Sequence, residues 1–417
     1  MPEIKILDVF RGTELVGQLF NETPLKFIYS DSCLKQGGEA ISPNIDLSKA
    51  EHTGQPVEAY FENLLPEAGI RELLKMKYHV SSIFGLLNAI GGDTASNLTL
   101  LPHGELPKAS QYRDVTWAEI EESIRNPNES INASQANEGI RISLAGAQKK
   151  MTILIKPDGS PAQPMDSSPS THILKPDIMG LEGVWSSAIN ETFVMKLANS
   201  LGIGVAEVEY QPIVSACLIK RYDRIVEDDG AIRKLHQLDL CQLEGKPSTI
   251  KYESDGGPSL ARCRQLLISN GVTAADLKRL LQWVFFNLFV GNNDSHAKNL
   301  SIYFVPDEGA KLTPFYDLLS TSLYPRLSRK FAFKIGGENE PSNITSEHIK
   351  KMADELKFKP KYVMEIADDI SMGILRSVGG VTTELMHVAK VGTEQTMLER
   401  LNNHITSNTK KFQKRLF

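Results

Sequence analysis

The stretch 291-GNNDSHAKNLSIYFVPDEGAKLTPFYD-317 decides how this chain folds. It follows 277-LKRLLQWVFFNLFV-290, which is apolar on nearly every side from Trp283 onward, as a helix buried in a core must be. Gly291 stops that helix, and the polar run 292-NNDSHAKN-299 follows at once. Next come LSIYFV, a turn at 306-PDEG-309 and KLTPFY, a hairpin in which Pro314 fits an edge position. Folding the hairpin about a turn centred between Asp307 and Glu308 sets Asn299 opposite Tyr316, one residue from Asp317. Asp294, Asn299 and Asp317 then converge at the mouth of the buried helix. Three oxygen-bearing side chains at one point suit a hard cation such as Mg²⁺.

Asp-x₄-Asn, a hairpin and a further Asp is the layout of a protein-kinase catalytic loop with its metal-binding Asp. On that reading Asp294 is the base for the acceptor hydroxyl. Asn299 and Asp317 hold Mg²⁺ against the phosphates of ATP, and Lys298 offsets charge on the transferring phosphoryl group. Asp and Asn also cap turns in every kind of protein, so the reading requires the other parts of a kinase.

Those parts have candidates upstream. The loop 143-SLAGAQKK-150 lies between two expected strands, and the small residues Ala145, Gly146 and Ala147 let a backbone approach an anion, with Lys149 and Lys150 adding charge. In 171-THILKP-176, Lys175 closes an apolar strand, where a solvated lysine has no reason to sit. Glu191, one turn into the next helix, is its natural partner, although a solvated helix residue is an equal alternative.

Composition sets the bounds. A chain of 417 residues is too long for one hydrophobic core, so two or more domains are expected. A hydrophobic content of 41%, charged content of 23% and mean hydropathy of −0.22 are those of a soluble globular protein. The net charge of −5 argues against a protein coated in nucleic acid, and the basic end 410-KKFQKRLF-417 reads as a solvated helix end. The four cysteines form no CxxC pair, so neither zinc nor a disulfide framework is expected. No apolar run reaches the roughly 20 residues of a membrane span, and no signal-peptide core is present. The expected location is cytoplasmic, with no membrane partner.

Along the chain, strands are expected over 4–10, 14–20 and 25–29 as a β-meander, then helices over 57–65, 68–77 and 81–90. The Asn/Ser-rich stretch 125-RNPNESINASQANEG-139 reads as a linker. Strands follow over 140–144, 151–156 and 171–175. An amphipathic helix over 186–201 carries Ile189, Phe193, Leu197 and Leu201, and strands lie near 205–211 and 213–220. From about Ser259 the pattern is chiefly helical. The expected domains are 1–124, an N-terminal meander-plus-helices subdomain; 125–139, the linker; 140–258, a kinase N-lobe; and 259–417, a helical C-lobe.

With these pieces together the sequence resembles the HipA family of bacterial toxin kinases. The blocks that carry the resemblance are 61-FENLLPE-67, 90-IGGD-93, 141-RISLAGAQKK-150, 172-HILKP-176, 221-RYDR-224, 236-HQLDLCQ-242, 251-KYESDGGP-258, 293-NDSHAKN-299 and 316-YDLLS-320. The resemblance implies an α+β, two-lobed protein-kinase-like fold, related to the phosphatidylinositol kinases, with an extra N-terminal β-rich subdomain and a helical C-terminal lobe. It implies Asp294 as catalytic residue, Asn299 and Asp317 as Mg²⁺ ligands, and Lys175 as the ATP-binding lysine. ATP contacts extend to Ala145, Gly146, Ala147, Gln148, Lys149 and Lys150, to Lys220, Arg221 and Tyr222 between the lobes, and to His296, Ala297, Lys298, Asn299, Tyr316 and Asp317. Ser143 matches the serine these kinases autophosphorylate to switch themselves off.

The resemblance further implies a protein substrate in translation, glutamyl-tRNA synthetase in the best-known members. It implies a helix-turn-helix antitoxin, HipB-like, which carries the complex onto operator DNA. Two other functions fit the same core: a small-molecule phosphotransferase, and a non-catalytic co-repressor acting through a DNA-binding antitoxin.

Overall fold

The computed structural model describes residues 5–35, 37–125 and 150–417. The expected strand over 140–144, nearly all of the linker, and Ser143, Ala145, Gly146, Ala147, Gln148 and Lys149 lie outside the described residues. The chain forms two compact units, Met1–Leu174 with Asp223–Ile250, and Lys175–Tyr222 with Lys251–Phe417. The domains expected from sequence follow one another, whereas these units exchange segments.

In the first unit β1 (Ile6–Arg11), β2 (Glu14–Phe20) and β3 (Lys26–Tyr29) make the meander. A short helix, α1 (Asp31–Lys35), follows. The sheet then grows at both edges: β4 (Glu51–Thr53) pairs with β3, and β5 (Leu98–Pro102) pairs with β1. The antiparallel order is β4-β3-β2-β1-β5. β5 escapes a search for alternation because every residue of LTLLP is buried. Gly17 sits where a Cβ would meet the Ile28 carbonyl oxygen at 2.4 Å, so β2 and β3 can approach only with glycine there.

The three expected helices are α2 (Gln55–Glu62), α3 (Ala68–Tyr78) and α4 (Ile83–Ile90). Then come β6 (Tyr112–Asp114) and α5 (Trp117–Arg125), followed by β7 (Met151–Ile155), β8 (Pro161–Pro164) and β9 (His172–Pro176). β7 pairs with both β8 and β9, and β6 with β8.

The second unit begins at Lys175, inside β9. Its first segment holds α6 (Ser187–Ser200) and the hairpin of β10 (Val208–Gln211) with β11 (Ala216–Lys220). α6 departs from the expected amphipathic helix. It is buried from Ser187 to Met195 on every face, polar residues included. Those polar groups are bonded inside: Asn190 Nδ2 donates to Ser320 O (3.1 Å) and Tyr324 Oη (3.0 Å), and Thr192 Oγ1 donates to Ala188 O (2.8 Å).

Back in the first unit are β12 (Arg224–Val226) and β13 (Ile232–Lys234), which pair, then β14 (Gln237–Asp239) and α7 (Leu240–Glu244). This returning segment is bound to the earlier one through buried charge. Asp93 and Arg224 are both buried and meet at 2.9 Å, with Lys234 at 3.2 Å from Asp93 and Ser170 Oγ donating to it at 3.0 Å. A second joint places buried Glu62 between Arg71 and Ser248, whose N–H (2.8 Å) and Oγ (2.6 Å) both donate to the carboxylate. Such ions are tolerated because each is paired and hydrogen-bonded.

The second unit resumes with α8 (Leu260–Ser269) and α9 (Ala274–Val290). Thr273 caps α9 in a reciprocal box with Asp276. Trp283–Phe286 and Leu288–Val290 are buried to within 1%. After the catalytic-loop candidate come β15 (Ser301–Val305) and β16 (Gly309–Leu312), then α10 (Ser346–Glu355), α11 (Pro360–Met386) and α12 (Thr393–Leu416). α11 packs on α12, α9, α10 and α6. The basic end is the last turns of α12, with Phe412 and Leu416 buried and Lys410, Lys411 and Lys414 exposed. No helix among the described residues is long and apolar enough to cross a membrane.

His236 is buried at 5% exposure, and burial, helped by the Arg11 charge, pushes its pKa down to about 3. An unfolded histidine titrates near 6.5, so below that pH the unfolded state gains a proton that the folded state refuses. Stability is therefore full above pH 6.5 and falls as pH drops towards 3, by up to about 1.4 kcal/mol per pH unit from this group. Urea unfolding at pH 7, 6 and 5 is expected to show a shallower fall for His236→Leu than for the wild type. Parallel lines for the two proteins would count against it.

Candidate active site

The loop begins where α9 is most firmly held. The last carbonyls of α9 accept from Asn408 Nδ2 (Phe289 O, 2.8 Å) and Ser320 Oγ (Val290 O, 2.7 Å). Gly291 takes φ 75°, and a Cβ there would lie 2.0 Å from Ser322 Oγ, so both conformation and space demand glycine. Each polar residue that follows has a structural bond. Asn292 Nδ2 donates to Asn287 Oδ1 (2.7 Å), Asn293 Nδ2 to Ser328 O (3.0 Å), and Ser295 Oγ to Asn292 O (3.2 Å). Asn292, Asn293, Ser295, His296, Ala297, Lys298 and Asn299 are all buried; Asp294 alone is exposed. One carboxylate is thus presented outward from a loop whose neighbouring side chains are buried, where it can reach a proton on another molecule.

The loop closes with a 3₁₀ turn over Ala297–Asn299. Asn299 Oδ1 accepts from the His296 N–H (3.0 Å), and its Nδ2 donates to Asp317 Oδ2 (2.9 Å). The hairpin that joins them differs from expectation by one residue. Ile302 pairs with Leu312 and Val305 with Gly309, so Pro306, Asp307 and Glu308 form a three-residue turn centred on Asp307. In that register Asn299 falls opposite Phe315 rather than Tyr316. β16 also stops at Leu312, before Pro314, because the chain changes partner. The Phe315 N–H donates to Gly204 O (3.0 Å), and Phe315 O accepts from the Ala206 N–H (2.9 Å). Asp317 then turns with φ 61°, a left-handed conformation that Asp tolerates better than most side chains.

That turn delivers Asp317 to Lys175. Lys175 Nζ lies 2.7 Å from Asp317 Oδ1 and 2.7 Å from Glu191 Oε1. Lys175 and Glu191 are 9% and 1% exposed, while Asp317 is 39% exposed. Burial works to lower the lysine pKa, but the charges of Asp317 and Glu191 outweigh it and raise the pKa above its usual value. Glu191, Lys175, Asp317 and Asn299 thus form one connected set. The lysine remains a cation although almost no water reaches it.

Lys220, Arg221 and Tyr222 end the first segment of the same unit. Lys220 is exposed and pairs with Glu207 at 3.0 Å, Arg221 is buried, and Tyr222 stacks on Tyr316 with centroids 6.0 Å apart. Tyr316 Oη donates to Lys298 O (2.8 Å) and is 2.8 Å from Ser301 Oγ, tying this aromatic pair to the loop. His296 is buried, and burial followed by the Lys251 charge holds its pKa well below the usual value, so the ring is neutral at pH 7. Lys150 belongs to the first unit. One contact has no counterpart in spacing rules: Tyr252 Oη donates to Asp294 Oδ1 at 2.5 Å.

Comparison with known proteins identifies the family. The HipA-like C-terminal domain matches residues 142–377 and the HipA N-terminal domain matches residues 7–101. The chain belongs to the HipA family. Within that family it is 36% identical over 348 residues to Y4mE of Sinorhizobium fredii, a protein bearing a kinase name, with 80% of this chain and 81% of that one covered. It is 30% identical over 369 residues to the serine/threonine-protein kinase toxin HipA of Shewanella oneidensis, covering 84% and 83%. The HipA structure solved in the Shewanella oneidensis HipA, HipB and operator DNA complex superposes with a TM-score of 0.83 at 25% identity, covering 98% and 97%. The fold is therefore protein-kinase-like, of HipA type.

Lys175→Met leaves Glu191 buried without its counter-charge, a loss of roughly 3–5 kcal/mol. The double variant Lys175→Met/Glu191→Leu removes both ions and is expected to recover most of that loss. Thermal unfolding of the full-length proteins gives the order; equal midpoints for wild type, single and double variants would refute it.

Proposed function

We propose that this HipA-family chain is an ATP- and Mg²⁺-dependent serine/threonine protein kinase, the toxin of a toxin–antitoxin pair. The observation that carries the reading is the connected set Glu191–Lys175–Asp317–Asn299 beside the loop that presents Asp294. Lys175, kept charged by two carboxylates, is the cation for the ATP phosphates. Asn299 and Asp317 fit Mg²⁺, since both offer hard oxygen donors and this ion uses few protein ligands alongside phosphates and water. When bound, the ion offsets charge on the phosphates. Asp317 Oδ1 accepts from Lys175 and Oδ2 from Asn299, and a carboxylate with about four lone-pair directions keeps capacity for a cation besides these two bonds.

Asp294 takes the proton of the acceptor hydroxyl as its oxygen attacks the γ-phosphorus and ADP leaves. On this reading Ala145, Gly146, Ala147, Gln148, Lys149 and Lys150 are the residues for the ATP phosphates, and Lys220, Arg221, Tyr222 and Tyr316 those for adenine, since the stacked tyrosines offer a flat apolar surface. His296, Ala297 and Lys298 complete the ATP contacts. Phosphorylation of Ser143 switches the enzyme off, because a dianionic phosphoserine beside the phosphate cradle repels ATP. The substrate is a cytoplasmic translation protein, with glutamyl-tRNA synthetase the first candidate. A HipB-like helix-turn-helix antitoxin neutralises the kinase and carries it to operator DNA, a reading supported by the likeness to HipA solved with HipB and its operator.

Incubation of the purified chain with γ-labelled ATP and Mg²⁺ is expected to label Ser143. Asp294→Asn should reduce that labelling by roughly 10² or more, the usual contribution of a positioned base. A wild-type protein that takes up no label with Mg²⁺ or Mn²⁺ would overturn the kinase reading.

A further inference from the structure

The block 251-KYESDGGP-258 is left without a role by the reaction described above. Its structure is a compact turn: the Gly257 N–H donates to Tyr252 O (2.8 Å), Glu253–Asp255 make a single 3₁₀ turn, and Gly256 closes it at φ 89°. The turn is fastened on two sides. Lys251 O accepts from the Ala297 N–H of the catalytic loop (3.4 Å), and Glu253 Oε2 accepts from the Lys334 N–H (2.8 Å). Between these fixings stands Tyr252. Its ring meets the edge of His296 at 5.2 Å between centroids and 83° between planes. Its hydroxyl donates to Asp294 Oδ1 at 2.5 Å, the short range of a hydrogen bond to a carboxylate.

We propose that Tyr252 is a positioning residue for phosphoryl transfer, holding the Asp294 carboxylate through Oδ1 so that Oδ2 meets the acceptor hydroxyl. Asp294 is the one exposed side chain of the loop. A base works only if its oxygen waits at hydrogen-bond distance from the proton. The bond from the phenol restricts how the carboxylate can turn. A carboxylate has two oxygens and about four lone-pair directions, so one oxygen can be tethered while the other reacts. The ring edge on His296, itself buried in the loop, fixes where the phenol stands. The inference rests on Asp294 being the base, and it gives the turn a purpose: its two fastenings set the height of Tyr252 above the loop.

The test compares full-length wild type, Tyr252→Phe and Tyr252→Leu in autophosphorylation with Mg²⁺ and varied labelled ATP. Tyr252→Phe keeps the ring and deletes only the hydroxyl. The maximal rate is expected to fall about tenfold in this variant, with the half-saturating ATP concentration unchanged, since orientation and not ATP binding is lost. Tyr252→Leu, which also loses the ring edge on His296, should fall at least as far. Asp294→Asn and Asp294→Asn/Tyr252→Phe should label equally slowly, because the hydroxyl acts through the carboxylate. A Tyr252→Phe protein that labels as fast as wild type, or faster, overturns the proposal while leaving the kinase reading intact. So does a loss confined to ATP affinity. If wild type takes up no label, the kinase reading fails and this inference falls with it.

Discussion

The second unit turns on a lysine between two carboxylates. Lys175 is nearly inaccessible to water, and an isolated ammonium ion in that place would lose its proton or unfold its surroundings. Glu191 and Asp317, each at 2.7 Å, are what allow it to stay charged. Several other features follow from that need. α6 carries a carboxylate within Ser187–Met195, a stretch buried on every face, and Asn190 and Thr192 of that stretch are likewise bonded inside. The chain after β16 abandons the hairpin, pairs Phe315 with the 204–206 segment, and turns left-handed at Asp317. A regular hairpin continuing past Leu312 would carry the carboxylate along the strand instead of into the site.

Much of this site can be read from sequence because its parts are local. Asp294 and Asn299 lie in one loop after one helix, and an apolar strand that ends in lysine is conspicuous. What was harder is long-range. The register was one residue off because the turn uses three residues rather than an even number, with Asp307 itself left-handed. β16 stops early because of a bridge to residues more than a hundred positions upstream, which no local pattern encodes. β5 has no alternation to find. Tyr252 stands 42 positions from the carboxylate it bonds, and only the recurrence of its block in the resemblance marked it at all.

The quoted sequence blocks that fall among the described residues divide into two physical kinds. Some surround Lys175 and Asp294. Others are joints of the first unit. Asp93 of IGGD bonds Arg224 of RYDR, Glu62 of FENLLPE receives Ser248, and Asp239 of HQLDLCQ caps α7 in a box with Gln242. Asn63 and Asn44 add further bonds to the same returning segment, through Lys246 O and Leu243 O. Losing one partner of a buried ion pair is costly, so a joint of this kind binds two residues as firmly as a chemical role would. Motif strength alone therefore cannot separate a joint from a site residue: Lys175 and Asn299 are buried, as Asp93 and Glu62 are.

The exchange of segments between the two units has a consequence for synthesis. The ribosome delivers residues 1–174, then 175–222, then 223–250, before the long remainder of the second unit. The first unit is complete at residue 250, while the opening piece of the second has emerged and still lacks its core helix α9. Lys175 and Asp317 are 142 positions apart, so the lysine waits with at most one of its carboxylates through that interval. A nascent chain released early carries no assembled ion set. The ion set around Lys175 closes only once Asp317 has been made, 142 positions after the lysine.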